Sequence, residues 1–169
     1  MKIYRLLKEG AAEDVKKIVD NAKKMNETNT DFKKVIALIR IDIQEKNYRN
    51  AALDIGNIQM LFSRATAMYN KNYQKTYGLS NLTVLQQWAR FFRTWLYSLT
   101  TFDTGDFDKI FDNVADISDK IKELIDGDEI PSDSTINSMK SKLDAQLKMV
   151  PTKLYKMSRD IINREQKGE

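Results

Sequence analysis

The sequence predicts an all-α protein, an antiparallel bundle of about six helices, and two observations carry that prediction. Apolar residues recur at 3- and 4-residue spacings along most of the chain, and the 2 prolines and 6 glycines fall almost entirely where such a pattern starts or stops. At 169 residues the chain has the length of one domain, 1–169. A chain of that size buries roughly 70% of its unfolded surface, enough for its own core.

After Gly10, a stripe of Ala12, Val15, Ile18, Val19, Ala22 and Met25 marks a first helix, and the polar cluster Asn26 to Thr30 is expected to end it. Thr30 is then the N-cap of a second helix carrying Phe32, Val35, Ile36, Ile39 and Ile43 on one face. Its Ile and Val content suits a strand, but the residues do not alternate. A long helix follows from Tyr48 to Tyr77, stopped by Gly78, with Gly56 marking a bend or a close contact. Ser80 or Asn81 caps the next, which runs to about Thr100. Thr104 or Asp106 opens a helix whose core positions, Phe107 to Ile125, stop at Gly127. The loop DGDEIPSD leads to a stretch with Ile136, Met139, Leu143 and Leu147; Pro151 breaks or kinks it ahead of a basic amphipathic C-terminal segment. Residues 165–169 are expected to fray.

Composition narrows the chemistry. There is no histidine and no cysteine, which removes zinc and haem sites of the usual kind, Ser-His-Asp and Cys-His nucleophile systems, and disulfides. Neither GxxxxGK[ST] nor GxGxxG occurs, and neither DTGDFD nor DGDEIPSD has the spacing of a calcium loop. The expectation is a protein with no enzymatic activity, no cofactor, no metal and no small-molecule substrate. No run of about 18 uncharged apolar residues exists, and MKIYRLLKEG has too short an apolar core for a signal peptide, so a cytoplasmic protein is expected. An excess of lysine over arginine and abundant asparagine suit an A+T-rich genome, such as that of many phages.

The net charge of +4 is a remainder left by three unlike blocks. Residues 1–100 hold 17 basic and 9 acidic side chains, 101–139 hold 3 and 11, and 140–169 hold 8 and 4. Within the acidic block, Asp108, Asp112, Asp116, Asp119 and Glu123 share an arc of roughly 80° opposite the apolar stripe of their helix. Such a ridge is either a solvated face or a docking surface for the basic C-terminal helix, a basic partner or a divalent cation. Lys153, Lys156, Arg159 and Arg164 form the polar side of the C-terminal segment, with Leu154, Tyr155, Ile161 and Ile162 opposite. That pattern fits a partner groove or nucleic-acid phosphates; without Trp or Phe to anchor it, no membrane binding is expected.

Two aromatic runs complete the candidates. Leu85 to Tyr97 (LQQWARFFRTWLY) has an apolar arc about 180° wide that includes Phe91, which places this helix at the centre of the bundle or beneath a second subunit. Arg90 and Arg93 sit on its remaining side, so a stacking platform for nucleic acid is the competing reading. Tyr69, Tyr73 and Tyr77 are four apart, with Lys71 and Lys75 between them and Arg64 nearby, which suits the end of a bundle seam, a protein interface or a nucleic-acid groove. The leading expectation is a protein that binds another protein or itself, with Tyr69, Tyr73, Tyr77, Phe91 and the acidic ridge as candidates. The alternative is a nucleic-acid-binding module using the basic residues named above.

Overall fold

A computed structural model describes residues 12–74, 79–102 and 105–168, with the side chains of 12–15, 17, 74, 79 and 80 left aside. The described residues form six helices and no strand: α1 (Ala12–Gln44), α2 (Tyr48–Gln74), α3 (Leu79–Thr100), α4 (Asp108–Asp126), α5 (Asp133–Leu147) and α6 (Val150–Gln166). None of them is long and apolar enough to cross a membrane.

The expected break at Asn26–Thr30 does not occur, and α1 runs through it. Thr28 and Thr30 donate their hydroxyls to the carbonyls of Lys24 and Asn26, at 3.0 and 2.9 Å, so both side chains are satisfied within the helix. Thr30 is therefore not a cap. The buried residues Asn21, Met25, Phe32, Ile36 and Ile39 stay in phase across the polar cluster, which is why one helix suffices. The turn into α2 closes with Asn47 N–H donating to the carbonyl of Asp42 (2.7 Å) and Lys46 N–H to that of Ile43 (3.1 Å). This is the Schellman pattern, and Lys46, at φ 59°, occupies the left-handed position usually held by glycine.

Several other positions bear on the expected boundaries. Gly56 is exposed inside α2 with no atom within 4 Å of where a Cβ would sit, so it marks no close contact. Helix α3 begins at Leu79, which puts Ser80 and Asn81 inside its first turn; Gly78 and Thr104 lie outside the described residues. The N-cap position of α4 is the fully buried Phe107, with no side-chain cap, because the carboxylate of Asp106 is turned to Lys156 at 3.0 Å. Pro151 marks the expected interruption: α5 ends at Leu147 and α6 opens at Val150, with Pro151 in its first turn, where the missing N–H costs nothing. The C-terminal tail is helical to Gln166, and Glu165 pairs with Arg49 at 3.3 Å. Helix α5 has a side-chain cap that the sequence reading did not name: Ser132 accepts from the N–H of Thr135 at 3.2 Å.

Helix α3 lies at the centre, packed against α1, α2, α4 and α5, while α6 lies along α2 and α5 along α4. Helices α1 to α5 each run antiparallel to the one before, whereas α5 and α6 follow one another in the same direction along α2, with Asn137, Asp144, Pro151 and Glu165 meeting Tyr73, Tyr69, Gln59 and Arg49 in turn. Pairings such as Ile18 with Gln87, Phe32 with Trp95 and Arg40 with Thr101 show that α1 and α3 run the same way. The core around α3 is aromatic: Trp88, Phe92 and Trp95 meet Phe62 and Tyr69 of α2, and Phe32 of α1 stacks on Trp95 with ring centroids 3.9 Å apart. A buried polar seam crosses the same three helices. Asn72 donates to Asn21, Asn21 donates to Gln87 (3.3 Å), and Gln87 donates to the carbonyl of Ile18 (2.9 Å). Each amide here has a partner, so the seam fixes the relative register of α1, α2 and α3 without leaving a buried polar group unpaired.

The two backbone exceptions predict opposite uses of glycine. Gly56→Ala adds helix propensity in open space and should raise stability by about 1 kcal/mol, whereas Lys46→Gly should gain a similar amount by relieving the left-handed residue. Urea titration of both variants measures this; a loss in either would contradict the local geometry given above.

Candidate interaction surfaces

The tyrosine run is absorbed by the fold. Tyr69 and Tyr73 are buried between α2 and α5, where the Tyr69 hydroxyl donates to Asp144 Oδ1 at 2.8 Å and the Tyr73 hydroxyl to Asn137 Oδ1 at 3.0 Å. Lys140 pairs with Asp144 one helical turn away and places its ammonium over both rings, 5.3 and 5.1 Å from their centroids. Burial, reinforced by the negative charge of Asp144, pushes both phenols above the ordinary tyrosine value, Tyr69 the further. These two rings therefore hold α5 to α2 and present no surface to a partner. Tyr77 and Lys75, predicted alongside them, lie outside the described residues.

Phe91 is also a correction. It is 8% exposed and packs against Trp88, Phe92 and Trp95, with centroids 5.3, 5.3 and 5.7 Å away. The wide apolar arc of α3 is covered by α1, α2 and α4 of the same chain, so it needs no second subunit to bury it.

The acidic ridge lies on the outside. Asp108, Asp112, Asp116, Asp119 and Glu123 are all exposed along α4. Arg93 of α3 pairs with Asp119 at 3.3 Å, and among the described residues the other four have no ion pair. Beside the ridge stands Tyr97, 60% exposed and tilted against Phe111 at 5.6 Å. The basic C-terminal helix does not lie along this ridge; it packs on α2.

The basic candidates are dispersed. Arg64 and Lys71 are exposed on the outside of α2, and Arg64 reaches Met60 Sδ at 3.8 Å. Arg90 lines a groove of about 380 Å³ between α1 and α3, together with Asn26, Asn29, Gln87 and Thr94, and among the described residues none of the other predicted cations lines it. Lys156 bonds Asp106 and Asp160, which raises its pKa, and Arg159 lies over the ring of Tyr155 at 5.8 Å. Lys153 and Arg164 are half-buried. The C-terminal helix is thus organised differently from its sequence reading. Its buried stripe is Val150, Leu154, Met157 and Ile161, while Tyr155 (63% exposed) and Ile162 (38% exposed) face outward.

Several structural partners were not legible as sites. Asp144, Asn137 and Lys140 gave no motif beyond an i, i+4 Lys–Asp spacing, which is common on any helix surface. Asn21, Asn72 and Gln87 read as ordinary polar residues until three helices bring them together. Across the α1–α2 hairpin, Asp54 comes within hydrogen-bonding reach of Asp42, and burial together with that neighbour raises its pKa. Among the described residues no group of three or more acidic side chains is placed to hold a metal ion. The sequence matches no protein-family model, and comparison with curated proteins and with solved structures gives no match.

Three variants test these assignments. Because the folded-state pKa of Asp54 is raised, its contribution to stability is present below the ordinary carboxylate value near 4 and is lost as pH rises through the folded value. Asp54→Asn should therefore melt at a higher temperature than the parent at pH 7, with the difference vanishing by about pH 4; an equal difference at both pH values contradicts the pairing with Asp42. Phe91→Asp places an unpartnered carboxylate among three aromatic rings and should abolish the helical circular-dichroism signal, whereas Tyr69→Phe should remain folded and lose about 1 kcal/mol in urea titration. A folded Phe91→Asp would return that residue to the surface.

Proposed function

We propose that this protein is non-enzymatic and cytoplasmic, and that it acts by binding another protein, as an interaction or assembly factor, through the acidic face of α4 and the adjoining Tyr97. The observation that carries the reading is the contrast between the two halves of that helix. One half is a regular apolar stripe of Ile110, Val114, Ile117 and Ile121 sealed against the bundle, and the other is five exposed carboxylates of which one is paired. Carboxylates at i and i+4 repel by about 0.2–0.5 kcal/mol per pair, so the face carries a cost that a cationic partner would relieve. Among the described residues Trp88, Phe91, Phe92, Trp95, Tyr69 and Tyr73 are taken up by the core, which leaves this face as a regular array of like charge on the exterior. A basic partner segment, with an aromatic or aliphatic residue to cover Tyr97, has the complementary chemistry.

The experiment uses a fluorescein-labelled oligolysine peptide as the probe and follows anisotropy at low salt. Neutralising Asp108, Asp112, Asp116 and Glu123 to their amides leaves the Arg93–Asp119 pair intact and removes four charges from one face. At 0.2–1 kcal/mol for each exposed pair, affinity should fall about tenfold or more. Neutralising the exposed Asp20, Glu27 and Asp31 of α1 should change it little. Equal losses from both sets would show that only net charge matters and overturn the reading. A shift of single- or double-stranded DNA at low salt, falling steeply as salt rises, would replace it with nucleic-acid binding.

A further inference from the structure

Resting on that reading, we propose that the partner of the α4 face is a second copy of this chain, docked through the outward ridge of α6. Opposite its buried stripe, α6 carries Tyr155, Arg159 and Ile162 at i, i+4 and i+7, a straight ridge prolonged by Lys148 just before the helix and Gln166 at its end. Every residue of that ridge is exposed and none is acidic. Tyr155 at 63% exposure and Ile162 at 38% leave more apolar surface in water than α6 needs for its packing on α2, and the Arg159 guanidinium lies 5.8 Å from the Tyr155 ring centroid, in solvent. An aromatic and an aliphatic side chain flanking a cation make a face that gains by covering.

The face of α4 supplies what this ridge lacks. Its carboxylates suit Arg159 and Lys148, and Tyr97, lying beside them, offers an exposed ring to Tyr155 or Ile162. The lengths match as well: α6 has 17 residues and α4 has 19, which at 1.5 Å per residue are ridges of about 26 and 28 Å. Within one chain the two faces do not meet. Glu165 and the carbonyl of Pro151 bind α6 to Arg49 and Gln59 of α2, while Arg93 binds α4 to α3. Each molecule therefore displays one cationic and one anionic ridge of similar length. A single helix-on-helix contact covers less than the roughly 800 Å² per partner of a stable interface, so the association is weak, concentration-dependent and sensitive to salt.

Sedimentation of the full chain tests this. At low salt the weight-average mass should rise with protein concentration and return to that of the monomer at high salt. Two variants are made: one with Asp108, Asp112, Asp116 and Glu123 as amides, the other with Tyr155, Arg159 and Ile162 as alanine. All seven positions are exposed, and unchanged circular dichroism confirms that folding is retained. Each variant alone should stay monomeric, and an equimolar mixture should form a 1:1 complex, because the intact α6 ridge of the first meets the intact α4 face of the second. Association that survives either set of substitutions would overturn the assignment. A wild-type protein that stays monomeric while still binding oligolysine would overturn self-docking and leave the α4 reading standing; failure of both would overturn the two together.

Discussion

Phe32 lies flat on Trp95, with ring planes 9° from parallel, and that contact decides how the longest helix sits on the central one. The stack is the edge of a larger aromatic cluster in which Trp88, Phe91, Phe92, Phe62 and Tyr69 are all within 6.1 Å of a neighbouring ring. Pairs of this kind add about 0.5–1.5 kcal/mol beyond the area they bury, in the offset and edge-on arrangements seen here. The cluster also outweighs a local cost. Among the described residues the indole N–H groups of Trp88 and Trp95 are buried without hydrogen-bond partners, and each such group costs about 1–3 kcal/mol. The packing of the two rings therefore has to exceed that penalty for the core to hold.

The rest of the molecule follows from where those rings go. With α3 surrounded, α1 and α2 are locked to it by the Asn21–Asn72–Gln87 seam, and α5 is attached through the hydroxyls of Tyr69 and Tyr73. Nearly all large aromatic side chains are consumed in this way. Among the described residues the exterior carries charge and scattered aliphatic side chains, with Tyr97 and Tyr155 as its exposed aromatic rings. That division gives the charged face of α4 its weight in the functional reading.

Much of the architecture was legible because helical periodicity is a local property. The stripes on α4 and α5 and the five carboxylates on one arc can each be read from a window of a few turns. What could not be read depends on contacts between distant residues. Tyr69 and Tyr73 have the spacing of an exposed ridge, and only the arrival of Asp144, Asn137 and Lys140 from another helix turns them inward. Phe91 sits at the edge of the apolar arc of α3, and its burial follows from α1 lying on that side. The Asn26–Thr30 cluster has the composition of a break, but the threonine hydroxyls have carbonyl acceptors one turn back and the buried stripe keeps its phase. On α6 the choice between Met157 and Tyr155 as the inward residue was made by the surface of α2.

The account rests on the carboxylates of α4 being free in the isolated chain and covered in the functional state. Carbodiimide labelling of carboxyl groups, followed residue by residue by mass spectrometry in dilute and in concentrated protein at low salt, measures this directly. Asp106, with a side chain 8% exposed, provides an internal standard that resists labelling at both concentrations. The account predicts that Asp108, Asp112, Asp116 and Glu123 label readily in dilute protein and become protected together as concentration rises, with protection lost in high salt. Protection of these four residues in dilute protein, or labelling that is the same at every concentration, would contradict it.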